Sequence, residues 1–155
     1  MANVNPIPDG NGEPTPYLAL DGAAKAIDFY KKVFDAREVF RHEQDGRVGH
    51  AELKIGSGRI MLADEFPDIG FRSPKSYGGT PVMLHLYVED VDEVVRRATA
   101  AGASIVRPVS DQFYGDRSGQ FADPWGHVWN VSTHVEDVSP EELDRRAKAQ
   151  GQTGA

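Results

Sequence analysis

The sequence predicts an α+β protein built from two βαβββ modules, and three observations carry that prediction. Each half of the chain reads as a short apolar strand, an amphipathic helix and three more strands with alternating side chains. The halves match at a shift of about 68 residues: Leu18-Ala19-Leu20-Asp21 answers Leu86-Tyr87-Val88-Glu89, and Gly58-Arg59-Ile60-Met61-Leu62 answers Gly126-His127-Val128-Trp129-Asn130. Turn chemistry separates the strands in both halves, with Asp45-Gly46 and Gly56-Ser57-Gly58 in the first and Asp123-Pro124-Trp125-Gly126 in the second.

Residues 1–14, with Pro6, Pro8 and Pro14, read as a flexible N-terminal arm. They hold no basic stretch followed by an apolar core, so a secretory signal is not expected there. The first module spans residues 15–65. Its opening strand is Tyr17-Leu18-Ala19-Leu20, and its helix places Ala23, Ile27, Tyr30 and Phe34 on one side, with Lys31 at the edge of that stripe. Strands follow over residues 38–44, 48–55 and 59–63. Asp35 stands just past the helix, and an aspartate tolerates a left-handed conformation better than most residues. Residues 66–81, with three prolines and three glycines, form a long connecting loop. The second module, residues 82–136, repeats the pattern. It has a strand over 82–88, a helix over 90–101 with Val91, Val94, Val95 and Ala98 at helical spacing, Gly102 as its stop, and strands over 104–109, 119–122 and 127–131. Ser139-Pro140-Glu141-Glu142 opens a C-terminal helix over residues 137–150 as a capping box with proline at the first helical position. Residues 151–155 read as a frayed tail.

Composition narrows the function. A net charge of −7 carries no basic stripe for nucleic acid, and no apolar run is long enough for a membrane-spanning helix, so neither partner is expected. The chain has no cysteine, hence no disulfide framework and no thiolate nucleophile, and a cytoplasmic location is expected.

In Asp123-Pro124-Trp125-Gly126-His127-Val128-Trp129-Asn130-Val131, proline presets one turn position and glycine accepts a positive φ. The strand that follows puts Val128 and Asn130 on one face and Trp129 and Val131 on the other, with Trp129 in the core and Trp125 exposed on the turn.

Three stretches carry a family resemblance: Ala26-Ile27-Asp28-Phe29-Tyr30-Lys31-Lys32-Val33-Phe34, Val88-Glu89-Asp90-Val91-Asp92 and Asp123-Pro124-Trp125-Gly126-His127-Val128-Trp129-Asn130. In that order and spacing the chain resembles the vicinal oxygen chelate superfamily, the glyoxalase, bleomycin-resistance and extradiol-dioxygenase group. Pro16-Tyr17-Leu18, residues 111–117 and residues 133–143 make it similar to the PhnB-like branch. The resemblance implies that the two modules curl a barrel-like mixed sheet around a concave cavity, and that the protein is a homodimer. It also implies, in many members, a divalent metal held by His, Gln and Glu on the first and last strands of each module. Carried onto this chain, those positions fall near Thr15 or Tyr17, Leu62, Met83 and Asn130. None is a strong ligand for a hard divalent metal, so no metal site and no cofactor are expected.

Alternation then names the candidate ligand-binding residues. Met83, His85 and Tyr87 share one face of their strand, opposite Leu84 and Leu86. His50 and Glu52 share a face of theirs, opposite Ala51, Leu53 and Ile55. Phe113 and Tyr114 stand on a loop, and Asn130 is polar on the last strand. Two histidines, three aromatics, an amide and a thioether suit a small organic, possibly aromatic ligand. The plainer reading of His50 and Glu52 is a solvated strand face. The sequence leaves open whether the protein is an enzyme. The alternative to ligand binding is a lyase, isomerase or dioxygenase of the same superfamily using His50, Glu52, His85 and His134 around a divalent metal.

Overall fold

A computed structural model describes residues 4–153. The chain divides into two compact units, residues 1–73 and 74–155, each holding one βαβββ module. The first runs β1 (Tyr17–Leu20), α1 (Ala23–Phe34), β2 (Arg37–Gln44), β3 (Arg47–Ile55) and β4 (Gly58–Asp64). The connecting segment has structure of its own, a single 3-10 turn at Pro67–Ile69 and a short helix α2 (Pro74–Tyr77). The second module is β5 (Met83–Tyr87), α3 (Val91–Ala100), β6 (Ser104–Asp111), β7 (Asp116–Ala122) and β8 (Val128–His134), followed by α4 (Pro140–Thr153). The last helix thus extends past residue 150 into the expected tail. Residues 1–3 of the expected arm and 154–155 of the tail lie outside the described residues.

Each unit forms its own open, curved four-stranded sheet, in the orders β1-β4-β3-β2 and β5-β8-β7-β6. The first and last strands of each module pair in parallel, Leu18 beside Leu62 and His85 beside Asn130. The remaining pairs are antiparallel. One face of each sheet packs on its module's helix. Leu20, Leu53 and Leu62 are fully buried with Ile27, Tyr30 and Val33 of α1, and Phe121, Trp129 and Val131 with Val91 and Ala98 of α3. Burying such a side chain contributes about 1.5–3 kcal/mol relative to exposing it, so these faces fix the strand register.

The helix ends show how each module closes. α1 starts at Gly22, which has no side chain to cap it, and Asp64 at the end of β4 supplies the acceptor instead. Its Oδ1 takes Gly22 N–H at 3.1 Å and Ala23 N–H at 2.8 Å, and its Oδ2 takes Val48 N–H at 2.8 Å. α3 has a local cap, Asp90 Oδ1 accepting from Glu93 N–H at 3.0 Å. Thr133 of β8 adds a second, accepting from Val91 N–H and donating to the Val88 carbonyl, both at 2.9 Å. Asp35 ends α1 at φ 54°, and Asp45-Gly46 turns the β2–β3 hairpin at φ 53° and 74°. Only half of the expected capping box forms on α4. Ser139 Oγ accepts from Glu142 N–H at 3.2 Å, while the Glu142 carboxylate pairs with Arg145 and Arg146.

The Asp123 turn corrects one expectation. Trp125 is only 9% exposed. Asp123, itself buried, draws the turn inward: its Oδ1 accepts from Trp125 N–H and His127 N–H, and its Oδ2 from Trp129 Nε1–H, each at 3.0 Å.

Candidate functional site

On the second sheet the residues alternate between two chemistries. The α3 side carries the pairs Phe121–Trp129 and Gly119–Val131. The opposite side carries rows of polar side chains across the strands: His85, Asn130, Gln120 and Arg107 in one, Tyr87, Ser132, Ser118 and Ser110 in the next, then Asp116 beside His134. Asp116, Ser118, Asn130 and Ser132 on this face are all buried. Tyr87 and Met83 stand at its edge about half exposed.

A hydrogen-bond chain orders the first row. Arg107 Nη2 donates to Ser118 Oγ and to Asn130 Oδ1, both at 3.1 Å. With its oxygen so engaged, the Asn130 amide turns its nitrogen to His85, Nδ2 lying 2.7 Å from Nδ1. His85 Nδ1 must then accept, which leaves its ring proton on Nε2. An aspartate at position 130 could not donate to His85 and would pair with Arg107 instead. The His85 ring meets Tyr87 edge-on at 4.8 Å between centroids.

A second chain runs through Asp116. Tyr87 donates its hydroxyl to Asp116 Oδ2 at 2.6 Å, and His134 donates Nδ1–H to Oδ1 at 2.8 Å. His134 Nε2 reaches Asp137 Oδ1 at 2.9 Å. Only an imidazolium can donate from both ring nitrogens, and the bond to Asp137, with that to Asp116, raises the His134 pKa above its ordinary 6.5. Burial opposes the charge on Asp116, but the bonds from Tyr87 and His134 outweigh it and hold that carboxyl below the usual range. The same bond to Asp116, aided by burial, pushes the Tyr87 phenol up.

The first unit holds a separate cluster. Tyr17 donates its hydroxyl to His50 Nδ1 at 2.6 Å, and His50 Nε2 lies 3.3 Å from Glu52 Oε1. Arg59 Nη1 donates to Glu52 Oε2 at 2.9 Å and to Asn11 Oδ1 at 3.1 Å. Phe71 stands edge-on to Tyr17, and Phe40 lies beside His50. Burial, with the negative charge of Glu52, raises the Tyr17 pKa.

Met83, His85, Tyr87 and Asn130 therefore share one sheet face, while His50 and Glu52 belong to the other unit's cluster. Phe113 and Tyr114 sit between β6 and β7 with their rings edge-on at 5.4 Å. Phe113 lines a groove of about 320 Å³ against Arg145, Arg146 and Ala149 of α4, and its carbonyl accepts from Arg146 Nη1 at 3.1 Å. Tyr114 stays near enough to Tyr87 for its phenol to add to the rise in the Tyr87 pKa.

The positions the resemblance assigns to a metal hold a poor donor set. Leu62 is fully buried on the α1 face, and the side chain paired with Tyr17 across the sheet is Met61. Tyr17 and Asn130 are engaged as described, and Met83 offers a thioether. Among the described residues no group of three or more His, Asp or Glu side chains could hold a metal ion. Sequence reading missed Arg107 and Ser118 and took Asp116 for a structural turn residue; Ser132 and His134 show in the sequence as the polar set of the last strand with Asn130. The alternation of Asp116, Ser118 and Gln120 was the available signal, hidden because an all-polar strand face resembles a solvated one.

The model of the Glyoxalase/Bleomycin resistance protein/Dioxygenase superfamily matches residues 17–131. An uncharacterized protein of Mycobacterium bovis is 46% identical over 147 residues, covering 91% of this chain and 97% of its own. Among solved structures, TioX from Micromonospora sp. ML1 is 30% identical with a TM-score of 0.62, covering 82% of this chain and 99% of its own. At 21% identity, the fosfomycin resistance protein FosX of Listeria monocytogenes, solved with Mn(II) and sulfate, shares the fold with a TM-score of 0.62 over 88% of this chain and 97% of its own.

Proposed function

The chain belongs to the glyoxalase/bleomycin resistance protein/dioxygenase superfamily, and we propose that it binds a small organic ligand on the polar face of its second sheet, without the divalent metal many superfamily members use. One observation carries this reading. Asp116, Ser118, Asn130 and Ser132 are buried on the sheet face turned away from α3. A face that served only as core would be apolar, because each buried polar group must be hydrogen-bonded or costs about 1–3 kcal/mol. Met83, His85 and Tyr87 border that polar floor with a thioether and two rings, the mixture that holds a small molecule by apolar contact and orients it by a few hydrogen bonds. The weak donor set at the expected metal positions supports binding over metal-dependent catalysis. A homodimer and a cytoplasmic location belong to the same reading.

Native mass spectrometry of the protein with and without Zn²⁺, Ni²⁺, Mn²⁺ and Fe²⁺, followed by a thermal-shift screen of aromatic metabolites and drugs, tests it. The expected result is a dimer without stoichiometric metal that is stabilised saturably by at least one compound class. One metal per chain, lost in a His85→Ala variant, would instead establish the metal-dependent lyase, isomerase or dioxygenase.

A further inference from the structure

Two buried polar atoms on this face lack a partner, Arg107 Nε and Ser132 Oγ. Arg107 uses Nη2 on two neutral oxygens, Ser118 Oγ and Asn130 Oδ1, and among the described residues no carboxylate pairs with it. Arginine is always charged, and a guanidinium with a dehydrated, unpaired N–H is costly to keep. Asp116 lies on the same face, but its two oxygens are taken by Tyr87 and His134. Ser132 is 1% exposed and stands in the row between Tyr87 and Ser118, beside Asn130 on β8. A positive charge, an unused N–H, an unused hydroxyl and a half-exposed aromatic ring thus lie within two adjacent rows of one sheet face.

Building on the small-ligand reading, we propose that this face takes an aryl or arylalkyl carboxylate, its carboxylate accepting from Arg107 Nε–H and Ser132 Oγ–H and its ring lying against Tyr87 and Met83. A single guanidinium balances a single negative charge. A dianionic phosphate in the same place would keep an uncompensated charge beside the buried Arg107 Nε and Ser132 Oγ. His85 fits this assignment: Asn130 Nδ2 occupies its Nδ1, which leaves Nε2–H as the ring's donor.

The test measures binding by titration calorimetry for benzoate, 1-naphthoate and indole-3-acetate, each beside its primary amide, with phenyl phosphate as a dianionic arm. The expected result is at least one acid bound about tenfold or more tighter than its amide, as charge-assisted bonds require, and tighter than phenyl phosphate. Arg107→Met should bring the acid down to the level of the amide while leaving amide affinity within about twofold. Ser132→Ala should weaken the acid about three- to tenfold. Arg107→Lys keeps the charge without Nε–H and should hold only part of the preference, which serves if Arg107→Met does not fold. Equal binding of acid and amide, a preference that survives Arg107→Met, or tighter binding of phenyl phosphate would overturn the carboxylate assignment and leave the small-ligand reading standing. Saturable binding by no acid and no amide would overturn both.

Discussion

Removing the Asp123 carboxylate should cost more stability than any other single change in the turn between β7 and β8. Its two oxygens receive Trp125 N–H, His127 N–H and Trp129 Nε1–H at 3.0 Å, and Asp123 and Trp129 are 4% and 3% exposed. A hydrogen bond to a charged acceptor contributes about 1.5–3 kcal/mol, and a buried donor left unpaired costs about 1–3 kcal/mol. The three losses share one site and do not add, and water reaches part of an opened turn. Asp123→Ala should therefore destabilise the second unit by about 4 kcal/mol. Asp123→Asn keeps one oxygen for the two backbone donors but turns an NH2 toward the Trp129 indole, a donor against a donor, and should cost about 2 kcal/mol. Trp129→Phe removes that conflict, so Asp123→Asn should cost measurably less in the Trp129→Phe background than in the parent. Urea unfolding followed by far-UV circular dichroism measures every variant, since tryptophan emission would change with the substitution itself. A loss below about 1 kcal/mol for Asp123→Ala would mean that water replaces the carboxylate and that the turn does not depend on it.

Three further outcomes follow from the geometry. Gly115, at φ 99°, has no room for a Cβ, which would overlap the Glu136 carbonyl oxygen, so Gly115→Ala should cost about 3 kcal/mol or more by urea unfolding. His134 should titrate by NMR above 6.5, and Asp137→Asn should lower its midpoint. Because its folded pKa is raised, the stability it contributes is complete below 6.5 and fades as pH rises through the folded value. Asp116, with a lowered pKa, contributes above its ordinary 3.8 and loses that contribution as pH falls through its folded value, so the pair stabilises most between the two. Asn130→Asp should pair with Arg107 and remove the donor to His85, costing about 1–3 kcal/mol by urea unfolding.

The modules were legible because each strand and helix shows its apolar residues at its own period, as in Ala51, Leu53 and Ile55 against His50, Glu52 and Lys54. The polar ends of strands were not. Asp116-Arg117 reads as a structural turn pair and the strand before it as residues 119–122 alone, yet β7 starts at Asp116 and pairs with β8 from Asp116–His134 to Ala122–Val128. Their alternation is polar on polar, which carries no hydropathy signal. Leu62, which the resemblance puts near a site position, lies buried on the α1 face while its neighbour Met61 pairs with Tyr17, because one residue along a strand reverses the face. Trp125 looked exposed because a turn tip usually is, and only the through-space reach of Asp123 places it under cover. The chains Arg107–Asn130–His85 and Tyr87–Asp116–His134 join residues 18 to 45 positions apart, a distance no local pattern spans.

The different anchoring of α1 and α3 bears on how the protein is made on the ribosome. The start of α3 carries its own acceptor, Asp90, three residues from the donor it satisfies, so that helix can close its first turn soon after leaving the exit tunnel. α1 begins at a glycine and waits for Asp64, 41 and 42 positions downstream. Until the fourth strand has emerged, the first helix has an open end and an apolar stripe without its sheet. During synthesis the N-terminal half is thus the more vulnerable one, and a translational pause just before residue 64 would lengthen the interval in which chaperones and proteases can reach it.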